Sequence, residues 1–209
     1  MNRSRPLNRM IQLGKLALVV LAFALSFGVT QAQARRVYYY YGVAPEKAGT
    51  FMMNFRFGPS IWLQNRYYNY QDARLLGAFA IDLGFAVTPD RNGYLVLSPQ
   101  IQGRPGFANF SIPFGFQYDI RIARGFYLYP RVSIGYGAMI YPGAYQYGPY
   151  VYYDTHTDHG GIFIPEFGLK WVIRGNFNIG VEPFSLPVWF NGDYYSIWYR
   201  AMFFLGFNA

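Results

Sequence analysis

Large apolar residues recur at every second position over most of this chain. Phe79, Ile81, Leu83, Phe85 and Val87 are separated by Ala80, Asp82, Gly84 and Ala86. A period of two belongs to a strand with two unlike faces. The same pattern predicts further strands. The first spans Gly49 to Gly58, with Phe51, Met53, Phe55 and Phe57 on the apolar face and Met52, Asn54 and Arg56 on the other. The second, Leu76 to Val87, is the one just described. The third runs from Tyr94 to Ile101 and the fourth from Phe110 to Arg121, where the alternation is unbroken. The fifth is Phe126 to Ile140, the sixth Ile162 to Ile173, the seventh Phe177 to Leu186 and the eighth Tyr195 to Phe207. Bulky hydrocarbon on one face and small, polar or charged residues on the other describe a closed sheet that is apolar outside and polar inside. The expected fold is therefore all-β: a closed antiparallel eight-stranded up-and-down transmembrane β-barrel.

The connections between these strands carry turn chemistry. Thr88 to Gly93, Ile122 to Gly125 and Arg174 to Asn176 are short. Alternating with them are longer segments: Pro59 to Arg74, Gln102 to Asn109, Tyr141 to Gly161 and Pro187 to Tyr194. Short periplasmic turns and longer extracellular loops, with both termini periplasmic, would produce that alternation. Pro99, Pro113, Pro130, Pro165 and Pro183 fall inside strands three to seven. Proline removes a ladder hydrogen bond and normally marks a bulge or an edge; in a closed barrel the five positions are read as bulges that carry curvature.

The start of the chain reads as a targeting segment. Arg3, Arg5, Arg9 and Lys15 precede an apolar run from Leu16 to Val29, and Ala32-Gln33-Ala34 has the small-x-small form of a cleavage site. The run is too short to span a bilayer as a helix. Residues 1–34 are thus expected to be a signal peptide for the general secretory pathway, residues 35–48 a periplasmic lead-in, and residues 49–209 the barrel. Loss of the four basic signal residues takes the net charge from +8 to +4. No Lys/Arg cluster then remains to suggest nucleic acid. There is no cysteine, which excludes disulfides and thiol chemistry. Aromatic residues make up 22% of the chain, as girdles at two membrane interfaces would require.

The chain resembles the small outer-membrane β-barrels of the OmpA/OmpX type. The resemblance rests on the signal segment, the alternating apolar sets and a last strand of alternating aromatics ending at Phe207. It implies residence in the outer membrane of a Gram-negative cell as a monomer, contact with membrane lipid and lipopolysaccharide, and insertion by the barrel-assembly machinery. Asn208 and Ala209 after Phe207 depart from the terminal aromatic usual in that superfamily.

Candidate chemistry falls into three sets. Arg56, Asp82, Asp119, Arg121, Arg131, Glu166, Lys170, Glu182 and Arg200 occupy inward positions. An eight-stranded interior is just wide enough to be filled by side chains, so these charges are expected to pair and plug the lumen. The sharper alternative is a narrow channel or a hydrophobic-solute carrier. Asp154, His156, Asp158 and His159 lie together in the connection Tyr141 to Gly161, read as a solvated surface loop. Such residues could ligate a divalent metal or serve an outer-membrane enzyme. No Ser or paired-Asp motif accompanies them, so the expectation is no enzyme and no cofactor. Finally, Tyr67, Tyr68, Tyr70, Tyr145, Tyr147, Tyr150, Tyr152 and Tyr153 cluster in the longer connections. Tyrosine offers rigid amphipathic contact area, which points to a structural or adhesion-like surface role toward an unidentified ligand. A soluble lipocalin-like barrel, with the apolar face turned inward, is the remaining alternative.

Overall fold

The computed structural model describes residues 50–65, 75–147, 150–174, 176–192 and 194–209. The signal segment, the lead-in and Tyr67, Tyr68 and Tyr70 lie outside the described residues. The strands are β1 (Phe51–Asn65), β2 (Leu75–Ala86), β3 (Gly93–Leu97), β4 (Gln100–Arg104), β5 (Phe107–Tyr118), β6 (Ile120–Ala123), β7 (Phe126–Tyr147), β8 (Tyr150–Ile173), β9 (Phe177–Ser185), β10 (Val188–Asn191) and β11 (Tyr194–Asn208). Three pairs are interrupted single passes: β3 with β4, β5 with β6, and β9 with β10. Each pass is antiparallel to the next, and β11 returns to pair with β1 through Phe207↔Met53 and Arg200↔Ser60. The pairings thus form a ring of eight antiparallel passes. The seam reaches the chain end: Ala209 N donates to Phe51 O at 2.8 Å, and Asn208 N donates to Asn176 O at 2.6 Å. Asn208 and Ala209 therefore extend the seam beyond Phe207.

Alternation of burial follows alternation of sequence. Along β5, Asn109, Ser111 and Gln117 are buried, whereas Phe110, Ile112, Phe114 and Phe116 are exposed. The exposed set recurs on every side, with Phe57, Phe79, Ile134, Leu169 and Phe203 among its members. Large hydrocarbon outside and polar side chains inside exclude the lipocalin arrangement, which requires the reverse.

The strand boundaries correct several expectations. β1 runs on to Asn65, well beyond Gly58. The expected connection Gln102 to Asn109 contracts to Pro105-Gly106, with Arg104 opposite Phe107 and Gly106 at a φ of 83°. Only glycine adopts that angle without steric cost. The segment Tyr141 to Gly161 is strand, not loop, at every described position: β7 and β8 stay in register from Phe126↔Trp171 to Tyr147↔Tyr150. On the outer flanks, pairing of β7 with β5 ends at Ile140 and pairing of β8 with β10 ends at Gly161. Beyond those positions β7 and β8 continue as a two-stranded ribbon. The expected difference in loop length is here largely a difference in how far the strands extend.

The prolines also depart from expectation. Pro113, Pro130 and Pro165 sit in the β5–β7 and β7–β8 ladders without any shift of register. Pro99 falls in the break between β3 and β4, and its register with β2 is likewise unchanged across the break. Pro183 alone of the five lies where β9 slips by one residue against β8 and β11.

Candidate functional site

The interior of the ring is ordered in layers. At the end bearing the ribbon, Leu76, Phe107, Met139, Trp189 and Trp198 form a buried apolar cluster, with Trp62 and Tyr141 packed against it. Two glycines make room for Trp189. A Cβ on Gly160 would stand 2.8 Å from its ring, and one on Gly137 would stand 3.1 Å away. At the turn end, Met52, Tyr94 and Val96 form a second apolar cluster.

Charges fill the space between. Arg56 Nη1 donates to Glu166 Oε1 at 2.9 Å and to Glu182 Oε2 at 3.0 Å. Its Nε lies 3.0 Å from Asp82 Oδ2, an ion pair without the aim of a hydrogen bond. Its Nη2 donates to Ser98 Oγ at 2.8 Å, and Ser98 in turn donates to Asp82 Oδ1 at 2.6 Å. Arg131 donates from Nε to Glu166 Oε2 and from Nη1 to Asp82 Oδ2, the latter at 2.7 Å. Arg200 Nη2 donates to Glu166 Oε1 at 3.2 Å, and its Nη1 donates to Gln100 Oε1 at 2.6 Å. Three guanidinium groups thus face three carboxylates. Nearer the turn end, Lys170 Nζ donates to Asp119 Oδ2, and Gln117 Nε2 donates to Asp119 Oδ1 at 2.8 Å. Lys170 also lies 5.4 Å above the centre of the Tyr94 ring.

Eight of the nine expected inward charges are buried, each at most 5% exposed. Arg121 is the exception and corrects the expectation. It stands in register with Tyr127, but it is exposed at the turn end of its pass. Its departure leaves four buried cations against four buried anions. Desolvating an ion is expensive, and only close pairing with further hydrogen bonds offsets it. Glu166 illustrates the offset: it accepts from Arg56, Arg131, Arg200 and Ser185.

Tyr129 also belongs to this network, though its residue type did not single it out. Its hydroxyl donates to Glu182 Oε2 at 3.1 Å. Gly168 on the adjacent strand leaves the space it needs, since a Cβ there would stand 2.4 Å from the ring. Gly168→Val is therefore expected to displace Tyr129 and lower stability by about 1–3 kcal/mol, the usual range for overpacking. Urea unfolding monitored by tryptophan fluorescence checks this.

The sequence reading also passed over Trp62, Phe107 and Trp189. Parity would have found the first two. Trp62 continues the even inward series of Asn54, Arg56 and Ser60, and Phe107 continues the odd series of Asn109 and Ser111.

The histidine cluster does not converge. His156 pairs with Tyr141 and His159 with Ala138, so the two histidines are on opposite faces of one strand. Asp154 and Asp158 share the face of His156. Tyr141 donates to Asp158 Oδ2 at 2.6 Å, and Tyr136 is hydrogen-bonded to His159 Nδ1. Among the described residues, no three His, Asp or Glu side chains gather as a metal would require. Replacing both His156 and His159 by alanine is expected to change stability by no more than about 0.5 kcal/mol, as for other exposed positions. Retention of the folded gel band checks it.

Tyr145, Tyr147, Tyr150, Tyr152 and Tyr153 are all in the ribbon, where Tyr145 pairs with Tyr152 and Tyr147 with Tyr150.

No protein-family model matches the chain, and no curated sequence does either. Solved structures do. Neisserial surface protein A is similar with a TM-score of 0.51 at 10% identity, over 74% of this chain and 95% of that one. Ail, the attachment invasion locus protein of Yersinia pestis, is similar at 14% identity over 77% of this chain and 99% of its own, with a TM-score of 0.47. The N-terminal β-barrel domain of Pseudomonas aeruginosa OprF is 15% identical over 76% of this chain and 97% of that domain, with a TM-score of 0.46. At these identities the likeness concerns the fold. The ring of eight passes, its apolar outer face and the match to Neisserial surface protein A define the class by its fold: a small eight-stranded antiparallel β-barrel, apolar outside and polar inside.

Proposed function

We propose that this barrel resides in the outer membrane of a Gram-negative cell and acts at the surface as a non-catalytic interaction protein, adhesion-like in character. The observation that carries the reading is the ribbon formed by β7 and β8 beyond Ile140 and Gly161. It is rich in tyrosine, and among the described residues no strand pairs with its outer edges. In this reading the general secretory pathway exports the chain, the barrel-assembly machinery inserts it as a monomer, and lipopolysaccharide surrounds its outer rim. The ribbon end faces outward and the short turns face the periplasm.

The same reading makes the lumen a plug rather than a pore. The balanced charge layer and the tryptophan layer support it, because both leave interior side chains buried against one another. Purified protein in planar bilayers is expected to give no stable conductance. Regular channel openings would overturn the plug and favour a narrow channel. For the surface role, a variant lacking residues 143–153 is expected to keep its heat-dependent gel mobility while attachment to host cells or coated surfaces falls several-fold. Undiminished attachment would overturn the role assigned to the ribbon.

A further inference from the structure

Between the charge layer and the tryptophan layer lies a belt of buried donors. Gln100 stands opposite Ser111, and Gln102 opposite Asn109, on β4 and β5. On the other side of the lumen, Ser60 pairs with Arg200 and Trp62 with Trp198, whose rings are 5.9 Å apart. The two sides meet: Arg200 donates to Gln100 Oε1 at 2.6 Å, and Ser60 Oγ donates to Gln102 Oε1 at 3.2 Å. Six buried groups of this belt have no hydrogen-bond partner among the described residues. They are Gln100 Nε2, Gln102 Nε2, Asn109 Nδ2, Ser111 Oγ, Trp62 Nε1 and Trp198 Nε1. Gln100, Gln102, Asn109, Ser111 and Trp198 are each at most 4% exposed.

Five of the six are N–H donors, and the sixth, Ser111 Oγ, can donate or accept. An indole N–H only donates. The amide of Gln100 cannot be reversed, because the guanidinium of Arg200 requires an oxygen opposite it. Such donors are paired in native interiors by protein or by ordered water. An acceptor is therefore needed. An anion would add an uncompensated charge beside four buried cations and four buried anions that already balance. A neutral acceptor carries no such penalty. Asn54, Asn178 and Asn208, at the turn end, also have unpartnered atoms, but these include both donors and acceptors and so do not select a ligand.

We infer that Gln100, Gln102, Asn109, Ser111, Trp62 and Trp198 line an internal water site, enclosed between the tryptophan layer and the charge layer. Water accepts from the indole and amide N–H groups and donates onward to the remaining lone pairs of the glutamine oxygens and the serine hydroxyl. The site is independent of the surface role, and it does not require a path through the charges.

The chain holds four tryptophans, which supply the test and its control. Trp189 Nε1 already donates to Gly137 O at 3.3 Å, and Trp171 is on the exposed outer face. Folded protein labelled with nitrogen-15 at the indoles, in lipid nanodiscs, is examined by NMR for magnetisation transfer from water. Single Trp→Phe variants assign the signals, and the parent spectrum alone carries the test if one of them fails to fold. Cross-peaks to water are expected for Trp62 and Trp198 and none for Trp189. Absence of transfer at both Trp62 and Trp198 would overturn the inference and leave the belt dry. Replacement of chloride by phosphate is expected to leave both signals in place. A shift of either signal on that replacement would also overturn the inference, in favour of a bound anion.

Discussion

Replacing Glu166 with alanine is expected to lower the folding stability of the barrel by about 3–5 kcal/mol, the loss typical when one partner of a buried ion pair is removed. Glu166 meets Arg56, Arg131 and Arg200. Its removal leaves three cations facing Asp82 and Glu182 alone, in an interior where each is at most 2% exposed. The change also leaves a void where the side chain stood. Glu166→Gln retains the shape and loses the charge, so it separates the two contributions and is expected to fall between the parent protein and the alanine variant. Equilibrium urea unfolding in lipid vesicles measures both. A loss below about 1 kcal/mol for Glu166→Ala, the range of exposed pairs, would mean that water reaches these guanidinium groups.

Phe114→Arg tests the opposite face. Phe114 is 50% exposed in the middle of β5, between the buried Pro113 and Gly115. A cation near the bilayer midplane on the wall of a barrel costs about 2–4 kcal/mol. Phe114→Leu keeps that position apolar and is the matched control. If Phe114→Arg were tolerated as well as Phe114→Leu, the surface would face water, and the membrane reading of the alternation would fail.

The middle of each pass was legible in the sequence because period two there coincides with a sharp contrast of chemistry. Asp82, Asp119, Arg131, Glu166 and Arg200 were placed inside by parity alone, and they are inside. What parity assigns is a face, not a depth. Arg121 has a lumen-side register position, yet it is two residues from the end of β6 and exposed. The strand ends were harder to read for a different reason. Beyond Gly58 and Ile140 the residues become small, aromatic or mixed, so the contrast between faces fades while backbone pairing continues. A ladder is made by N–H and C=O groups that every residue but proline carries, so composition gave no sign of it. The same fact hid the tryptophan layer, since Trp62, Phe107 and Trp189 were assigned to connections. It also explains the prolines: Pro113 and Pro165 lack an N–H but occupy their places in the ladder without forcing a bulge.

Cell fractionation followed by gel electrophoresis of unheated and boiled samples tests most directly whether the chain spans the outer membrane as a folded barrel with its apolar face toward lipid. The protein is expected in the detergent-extracted outer-membrane fraction, with the unheated form migrating apart from the boiled one because the closed barrel resists the detergent. Recovery from the soluble periplasm without detergent, with one mobility in both samples, would contradict it.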